Sequence, residues 1–367
     1  MQSVIVSTYN KPRHLALVLE GLLRQRDAEF EVIVADDGST AETTAVIENF
    51  AARAPFRVEH VWQEDLGFRA ARIRNLGVKA ARGAELVFLD GDCIPFADFL
   101  AAHHRAARPD RVLAGDRLFL DEKPSALVTE REIADPGVSA LVPSAETRRL
   151  RWRAAKSRFY ALTGLKERPK VVTANLSMAR SAFEAVNGLD ERFVGWGHED
   201  DDLRRRLRRR GFRISSVCTT ARVCHLWHPH VPSFRGKVKF GDNAGYFERG
   251  FFLSRCRTGL AERRVQDLKI AWNGEHDGTL PLELNITWGT TPVFCAAEIS
   301  VFVTSQSAPI PTTAIARANV FALITSQTTG ELPNTHHGKP CIALTAPLDP
   351  ATPAGRAALL NALESIL

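Results

Sequence analysis

The chain predicts an α/β fold, a mostly parallel sheet flanked by helices and followed by a smaller α/β appendage. Three observations carry that prediction. From residue 2 to about 116, strand-like runs alternate with helical patterns; the strand-like runs are continuously apolar; and polar residues gather where the runs end. Strands separated by helical stretches imply a parallel sheet covered on both faces, with ligands held beyond the carboxyl ends of its strands.

The elements follow in order. Ser3–Ser7 reads as a strand, Arg13–Arg26 as a helix, Phe30–Ala35 as a strand, Ala41–Ala52 as a helix and Arg57–Trp62 as a strand. The rhythm continues with a helix over Ala70–Ala81, a strand over Leu86–Leu89, a helix over Ala97–Ala107 and a strand over Val112–Ala114. Residues 117–168 are rich in charge, broken by Pro124, Pro136 and Pro143, and include a basic helical stretch at Arg148–Arg158. A second mixed block runs from Val171 to Val223, and Gly, Phe and Arg dominate Phe234–Arg264. Charge then becomes sparse while Thr, Ala and Pro rise, which predicts a domain boundary near residue 265.

Composition bounds the function classes. At about 150 residues per domain, 367 residues predict two domains. With 45% hydrophobic and 25% charged residues, the chain has the balance of a soluble globular protein and not of a disordered one. No apolar run reaches the roughly 18–20 residues of a membrane-spanning helix, and the chain opens on Ser3-Val4-Ile5-Val6, so the cytoplasm is the expected compartment. Six cysteines without C-x-x-C spacing indicate neither a disulfide framework nor a cysteine zinc site. The net charge of +6 divides into −4 over residues 265–367 and +10 over residues 1–264. A basic first domain suits phosphate-bearing ligands, anionic glycans or the acidic face of a membrane. No zinc-finger, recognition-helix or aromatic RNA-binding pattern is present, so no nucleic-acid partner is expected.

Four clusters carry the chemistry. The first strand ends in Ser7-Thr8-Tyr9-Asn10 and the second in Asp36-Asp37-Gly38-Ser39, where Ser39 or Thr40 also reads as a helix cap. The fourth ends in Asp90-Gly91-Asp92; two carboxylates at one rim of a buried strand require a cation or solvent, and Mg²⁺ or Mn²⁺ with substrate phosphates fits. Next comes Gly195-Trp196-Gly197-His198-Glu199-Asp200-Asp201-Asp202. A helix starting near Glu199 puts Asp200 on one face with Leu203 and Leu207, while the helix dipole accounts for Glu199, Asp201 and Asp202. The arginines that follow read as a solvated face. Last, His225, His228 and His230 sit at a strand end, a cluster suited to an extra metal ligand.

These motifs resemble an inverting GT-A glycosyltransferase of the large family 2 type, with a second part similar to a galactosyltransferase C-terminal motif region. The resemblance spans about the first 235 residues. It rests on Thr8-Tyr9-Asn10, Asp36-Asp37-Gly38-Ser39, Asp90-Gly91-Asp92, Asn175-Leu176-Ser177, Trp196-Gly197-His198-Glu199-Asp200 and His225. It implies a domain at 1–264, with a nucleotide-binding half at 1–116 and an acceptor and catalytic half at 117–264. Thr8, Asn10, Asp36 and Asp37 would contact base and ribose, Arg69, Arg72 and Asn75 would flank the donor, and Trp196 would line it. Asp90 and Asp92 would hold metal and diphosphate, with His225 completing the metal shell. Glu199 and Asp200 correspond to the acidic pair, of which Asp200 is the base. His198 departs from the small residue usual in galactosyltransferases.

The activity so implied moves a sugar from a nucleotide-sugar, a UDP-linked hexose or N-acetylhexosamine, to a hydroxyl of a cell-surface glycan or lipid-linked saccharide, with peripheral attachment to the inner membrane face through Arg148–Arg158 and Arg204–Arg210. A silent carbohydrate-binding scaffold is the alternative. A nucleotidyltransferase would want a glycine-rich loop where Ser7-Thr8-Tyr9-Asn10-Lys11-Pro12 stands. Residues 265–367, through His336-His337-Gly338-Lys339-Pro340 and Pro347-Leu348-Asp349-Pro350, resemble a shortened C-terminal half of an ADP-heptose:lipopolysaccharide heptosyltransferase, a GT-B enzyme, and are expected to dock or stabilise.

Overall fold

The computed structural model describes residues 1–26, 28–134, 138–163, 169–229, 242–248, 253–268, 270–273, 286–288, 299–304, 321–325, 335–336, 339–345 and 353–366. It forms two compact units, Met1–Phe247 and Glu248–Leu367. The change in composition predicts a boundary near residue 265, but the division falls earlier, inside the Gly-, Phe- and Arg-rich stretch. The reason is packing: Val265 and Leu268 are buried, and their turn lies against the last helix of the chain.

The first unit contains strands β1 (Gln2–Thr8), β2 (Phe30–Asp36), β3 (Val58–Trp62), β4 (Glu85–Asp90), β5 (Cys93–Pro95), β6 (Arg111–Ala114), β7 (Arg117–Phe119), β8 (Asn175–Ala179), β9 (Arg213–Ser216) and β10 (Val223–His225). Its helices are α1 (Pro12–Leu23), α2 (Ala41–Ala51), α3 (Ala70–Ala80), α4 (Phe99–Ala106), α5 (Glu122–Leu127), α6 (Glu130–Ala134), α7 (Ser144–Thr163), α8 (Arg180–Ala185), α9 (Glu199–Arg209) and α10 (Asp242–Glu248). The main sheet runs β3-β2-β1-β4-β8-β6-β9. Its first four strands are parallel, β8 is antiparallel to both neighbours, and β6 and β9 are parallel. Strands from both proposed halves thus share one sheet.

The centre of that sheet is apolar on both faces. Val4, Ile5, Val6, Val32, Ile33, Val34, Val87, Phe88 and Leu89 are all fully buried, which is why the runs read as unbroken. Each such side chain contributes about 1.5–3 kcal/mol on burial. Strand order reverses around β1, and the register sets Ser7 beside Asp90 and Thr8 beside Asp36. The polar ends of three strands therefore share one rim.

Two glycines shape that rim. Gly38 has φ +97°, and a Cβ there would lie 2.6 Å from the Asp65 backbone, so the Asp36-Asp37 turn admits no side chain. Gly91 donates to the Ser7 carbonyl at 2.7 Å, tying the turn between the two acids to the end of β1. A second sheet, β5-β10-β7, continues from that turn. Its register places His225 opposite Cys93, and Leu226 donates to the Asp92 carbonyl at 2.9 Å. A histidine 133 positions along the chain is thereby delivered to the paired acids.

Helix α9 begins at Glu199, as its sequence predicts, and Leu203 and Leu207 are fully buried. Two expectations about it are corrected. Asp202 does more than complement the dipole, and Arg206 is no part of a solvated face: they are 4% and 1% exposed. Arg206 donates from Nε to Asp202 at 2.6 Å and from Nη1 to the carbonyls of Val186 (2.8 Å) and Gly188 (2.7 Å). Satisfying a guanidinium on the backbone of a neighbouring turn makes its burial tolerable. Asp202→Ala strips the carboxylate from that buried cation and is expected to cost about 3–5 kcal/mol, read as a lower urea midpoint. Replacing both residues by apolar ones should recover much of the loss.

The second unit holds β11 (Ile270–Asn273), β12 (Ile286–Trp288), β13 (Ile299–Thr304), β14 (Phe321–Thr325), β15 (Thr335–His336), β16 (Lys339–Thr345) and α11 (Pro353–Ile366). Its sheet, β12-β11-β13-β14-β16-β15, is parallel except for the β15–β16 pair. Residues 268–275 read in sequence as a strand running into a Gly turn; β11 occupies Ile270–Asn273 of that stretch, and Gly274-Glu275, His337-Gly338 and Pro347–Pro350 lie outside the described residues.

Candidate active site

A group of side chains that could hold a metal ion forms where β4, β5 and β10 meet. Asp92, 12% exposed, has Oδ1 3.7 Å from His225 Nε2 and Oδ2 3.2 Å from His228 Nε2. Ligand atoms of Asp92, His225 and His228 all lie within 4.8 Å of one another, as do those of Asp90, Asp92 and Cys93. Burial pushes His225 down to about 4, keeping its imidazole neutral. Its Nδ1 is buried with no hydrogen-bond partner among the described residues. Burial works to raise the Asp92 carboxyl, but the hydrogen bond from His228 and the Lys11 ammonium at 3.0 Å hold it well below the usual carboxylate range. Neutral imidazole beside ionised carboxylate is the donor set a borderline divalent cation takes. The residues present fit such an ion. His230 lies outside the described residues.

On the other side of the turn, Asp90 Oδ1 accepts from Ser7 Oγ at 3.0 Å and from Arg74 Nη2 at 2.9 Å. Arg74 is buried and its Nη1 lies 3.9 Å from Glu199. Its charged form is favoured despite burial because Asp90, Asp200 and Glu199 surround it. One guanidinium thus couples the strand-end acids to the start of α9.

Asp200 Oδ2 accepts from the Thr173 amide at 3.1 Å, while Oδ1 is buried with no partner among the described residues. Burial first, and the Glu199 charge second, push Asp200 up to about 7, against the pull of Arg74. Burial raises Glu199 as well. A carboxyl titrating near neutrality with one oxygen anchored and the other unclaimed is suited to exchange a proton with a ligand.

A polar shelf is built by the ends of β1 and β2. Asp36, fully buried, accepts from the Ser39 amide at 2.8 Å and lies 3.1 Å from His60, contacts that keep it ionised against burial. Asp37 accepts from the Arg69 amide at 2.8 Å and from the Gln63 side chain, while burial raises it. Asn10 adopts φ +45°, where Asn is among the few tolerated side chains, and its Oδ1 accepts from Thr40 at 3.0 Å. Thr8 is buried and accepts the Asp37 amide on its carbonyl at 3.0 Å. Arg72 donates to Gln63 at 2.7 Å. Asn75 is fully buried, with its amide committed to the backbone of Leu189 (2.8 and 2.9 Å) and to Glu191 (3.0 Å).

An aromatic wall completes the site. Trp196, 38% exposed, stacks on Phe68 with ring centroids 5.4 Å apart and planes at 6°. The Gly195 amide donates to the Phe68 carbonyl at 2.7 Å, fixing the pair. His198 takes φ +71° and stacks on Phe247 at 4.8 Å. Asn243 of α10 donates to the Gly197 carbonyl at 3.1 Å.

Three participants escape the sequence reading as site residues. Arg74 shares the buried face of α3 with Ala70, Ile73, Gly77 and Val78, and helical spacing was the signal that could have found it. His228 stood in the imidazole cluster without being assigned to the metal. Lys11 carries no signal, since only folding brings it to Asp92.

Two family models match the chain: "Glycosyl transferase family 2" over residues 3–133 and "N-terminal domain of galactosyltransferase" over residues 158–229. The sequence reading calls the latter segment a C-terminal motif region. A validoxylamine A glucosyltransferase from Streptomyces hygroscopicus subsp. jinggangensis is 31% identical over 232 residues, covering 58% of this chain and 52% of that protein. A chondroitin synthase from Escherichia coli is 27% identical over 236 residues, covering 59% and 33%. The chain therefore spans about half or less of these curated relatives. A solved mannosyltransferase from Pyrobaculum calidifontis, in complex with GDP-Man and Mn²⁺, is 21% identical with a TM-score of 0.45, covering 61% of this chain and 56% of that one. The chain is thus similar to family 2 glycosyl transferases over residues 3–133 and to galactosyltransferases over residues 158–229, and the first of these segments supplies the parallel strand ends at which the acids gather.

Proposed function

We propose that the chain is an inverting glycosyltransferase that moves a sugar from a nucleotide-sugar, a UDP-linked hexose or N-acetylhexosamine, to a hydroxyl of a cell-surface glycan or lipid-linked saccharide. The observation that carries this reading is Arg74, which bridges Asp90 at the strand ends and Glu199 beside Asp200, so that donor-side and base-side acids surround one cation. The names of the curated relatives agree with sugar transfer.

The residues divide the work. Thr8, Asn10, Asp36, Asp37, Arg69 and Arg72 form the nucleotide shelf, and Asn75 acts through Leu189, holding the loop before Trp196 in place. Trp196 offers an aromatic face to a sugar ring, whose C–H surface packs on such faces. Asp90, Asp92 and His225, with His228 beside them, would hold a divalent ion, Mn²⁺ or Mg²⁺, which when bound supplies positive charge against the departing diphosphate. Lys11 and Arg74 add fixed positive charge near the same acids. Asp200 takes the proton of the acceptor hydroxyl on Oδ1, and the hydroxyl oxygen attacks the anomeric carbon from the face opposite the diphosphate, whose bond to that carbon breaks so that nucleoside diphosphate leaves and the configuration inverts.

A panel of nucleotide-sugars with Mn²⁺ tests the reading. Release of nucleoside diphosphate, with a product of inverted configuration by NMR, is expected; pyrophosphate release, or no turnover of any donor, would overturn it.

Peripheral membrane attachment belongs to the same reading, and one of its two proposed segments is withdrawn. Within Arg204–Arg210, Arg206 is buried, Arg204 pairs with Asp201 at 3.1 Å and Arg205 lies over Phe247. On α7, by contrast, Arg148, Arg151, Trp152, Ala155, Arg158, Phe159 and Leu162 share an exposed arc of about 120°. Trp152, Phe159 and Leu162 are 64%, 55% and 88% exposed. Apolar anchors flanked by arginines suit an anionic interface. The protein should float with phosphatidylglycerol vesicles and not with phosphatidylcholine, and Phe159→Ser/Leu162→Ser should lose this. No described helix is long and apolar enough to cross a membrane. The second unit we read as a docking or stabilising appendage: removal of residues 248–367 should leave donor hydrolysis intact, and its loss would make that unit part of the catalyst.

A further inference from the structure

A cavity of about 350 Å³ opens between α7, the end of β6 and the segment leading to Val171. Its lining includes Arg153, Lys156 and Lys170 against one carboxylate, Asp116. Asp116 is already shared by Arg153 at 2.6 Å and Arg149 at 3.4 Å. Lys156 rests its ammonium over the Trp152 ring at 4.5 Å. Neither lysine pairs with a carboxylate among the described residues. The cavity therefore keeps an excess of positive charge, with the Trp152 ring lying against the Lys156 ammonium.

Its position ties it to the site. Lys170 precedes Thr173 by three residues, and the Thr173 amide anchors Asp200; three residues span at most about 11 Å. Asp116 is followed by Arg117, whose charge faces Asp90 and Asp92. The cavity thus adjoins the segment whose Thr173 amide anchors Asp200.

We infer that this cavity binds an oxyanion carried by the acceptor, a phosphate or a sugar carboxylate, through Lys156 and Lys170. The inference rests on the transferase reading for the word acceptor, but oxyanion binding here requires neither donor nor metal. Two ammonium groups and a guanidinium meet such a group with charge-assisted hydrogen bonds, and the Trp152 face packs the ring or chain beside it.

Trp152 reports occupancy directly. Inorganic phosphate, glucuronate and glucose are titrated into the full chain without metal at constant ionic strength, following tryptophan fluorescence. A saturable change is expected with phosphate or glucuronate and none with glucose, and whichever anion binds more tightly names the acceptor's group. The signal should vanish in Trp152→Phe, and Lys156→Gln/Lys170→Gln should raise the dissociation constant about tenfold or more. No saturable change with either anion, an equal response to glucose, or unchanged affinity in the lysine variant would overturn the inference. Because the assay contains no nucleotide-sugar, a failure of the transferase reading would appear separately, as absent diphosphate release.

Discussion

Asp200→Asn should slow sugar transfer by about 10²–10⁴-fold, the range a positioned general base supplies, while leaving affinity for the nucleoside diphosphate nearly unchanged. The split follows from the geometry. Asp200 is anchored by Thr173 and faces the donor only through the Arg74 network, so the amide removes proton acceptance without touching the nucleotide shelf. The measurement is diphosphate release beside calorimetry with UDP; a variant that retains near-normal turnover takes the base role away from Asp200. The wild-type rate should rise with pH through about 7, where Asp200 loses its proton, and then level. Stability should move the opposite way. An acid whose folded pKa lies above its unfolded value of 3.8 keeps its proton between about 4 and 7 in the folded chain while the unfolded chain releases it, so raising pH through that window destabilises the fold. Asp200→Asn escapes this cost, and its gain in melting temperature over wild type should grow from pH 4 to pH 8.

How much of this was legible follows from which neighbours each residue needed. The strands β1, β2 and β4 were readable because both faces are covered, so their apolar runs are unbroken. The strand β8 is short and polar, and Asn175 and Ser177 make sense only beside His103: Nε2 meets Asn175 Oδ1 at 3.0 Å and Nδ1 meets Ser177 Oγ at 2.8 Å, from more than 70 residues away. Within the site, Asp90, Asp92 and Asp200 stood out as acids placed at strand or helix ends. Arginine was the residue type most misread. A run such as Arg204-Arg205-Arg206 looks solvated until the carbonyls of Val186 and Gly188 are seen to take one guanidinium inside, and Arg74 looks like one basic residue among several until Asp90 and Glu199 converge on it. Local pattern specifies which face is buried; whether a charge on that face has a partner is a tertiary fact.

Asp92→Ala should abolish the metal dependence of donor binding and weaken that binding about 100-fold or more in the presence of Mn²⁺, since one charged ligand of a divalent site typically carries several kcal/mol. Asp92 is the centre of the cluster: Lys11 at 3.0 Å, His228 at 3.2 Å and His225 at 3.7 Å all converge on its two oxygens. Alanine leaves those groups without the carboxylate that draws them together, so the loss should exceed that of His225→Ala, which deletes one neutral ligand. Lys11 sharpens the test. If its ammonium, and not an ion, is the counter-charge that Asp92 serves, then Asp92→Ala and wild type will bind UDP equally with and without Mn²⁺, and Lys11→Ala will be the variant that loses affinity. If a divalent ion is held there, wild-type calorimetry shows a metal-dependent gain, Asp92→Ala erases it, and Lys11→Ala preserves most of it. The two sources of positive charge thus give opposite orders of effect in one experiment, with donor binding alone as the readout.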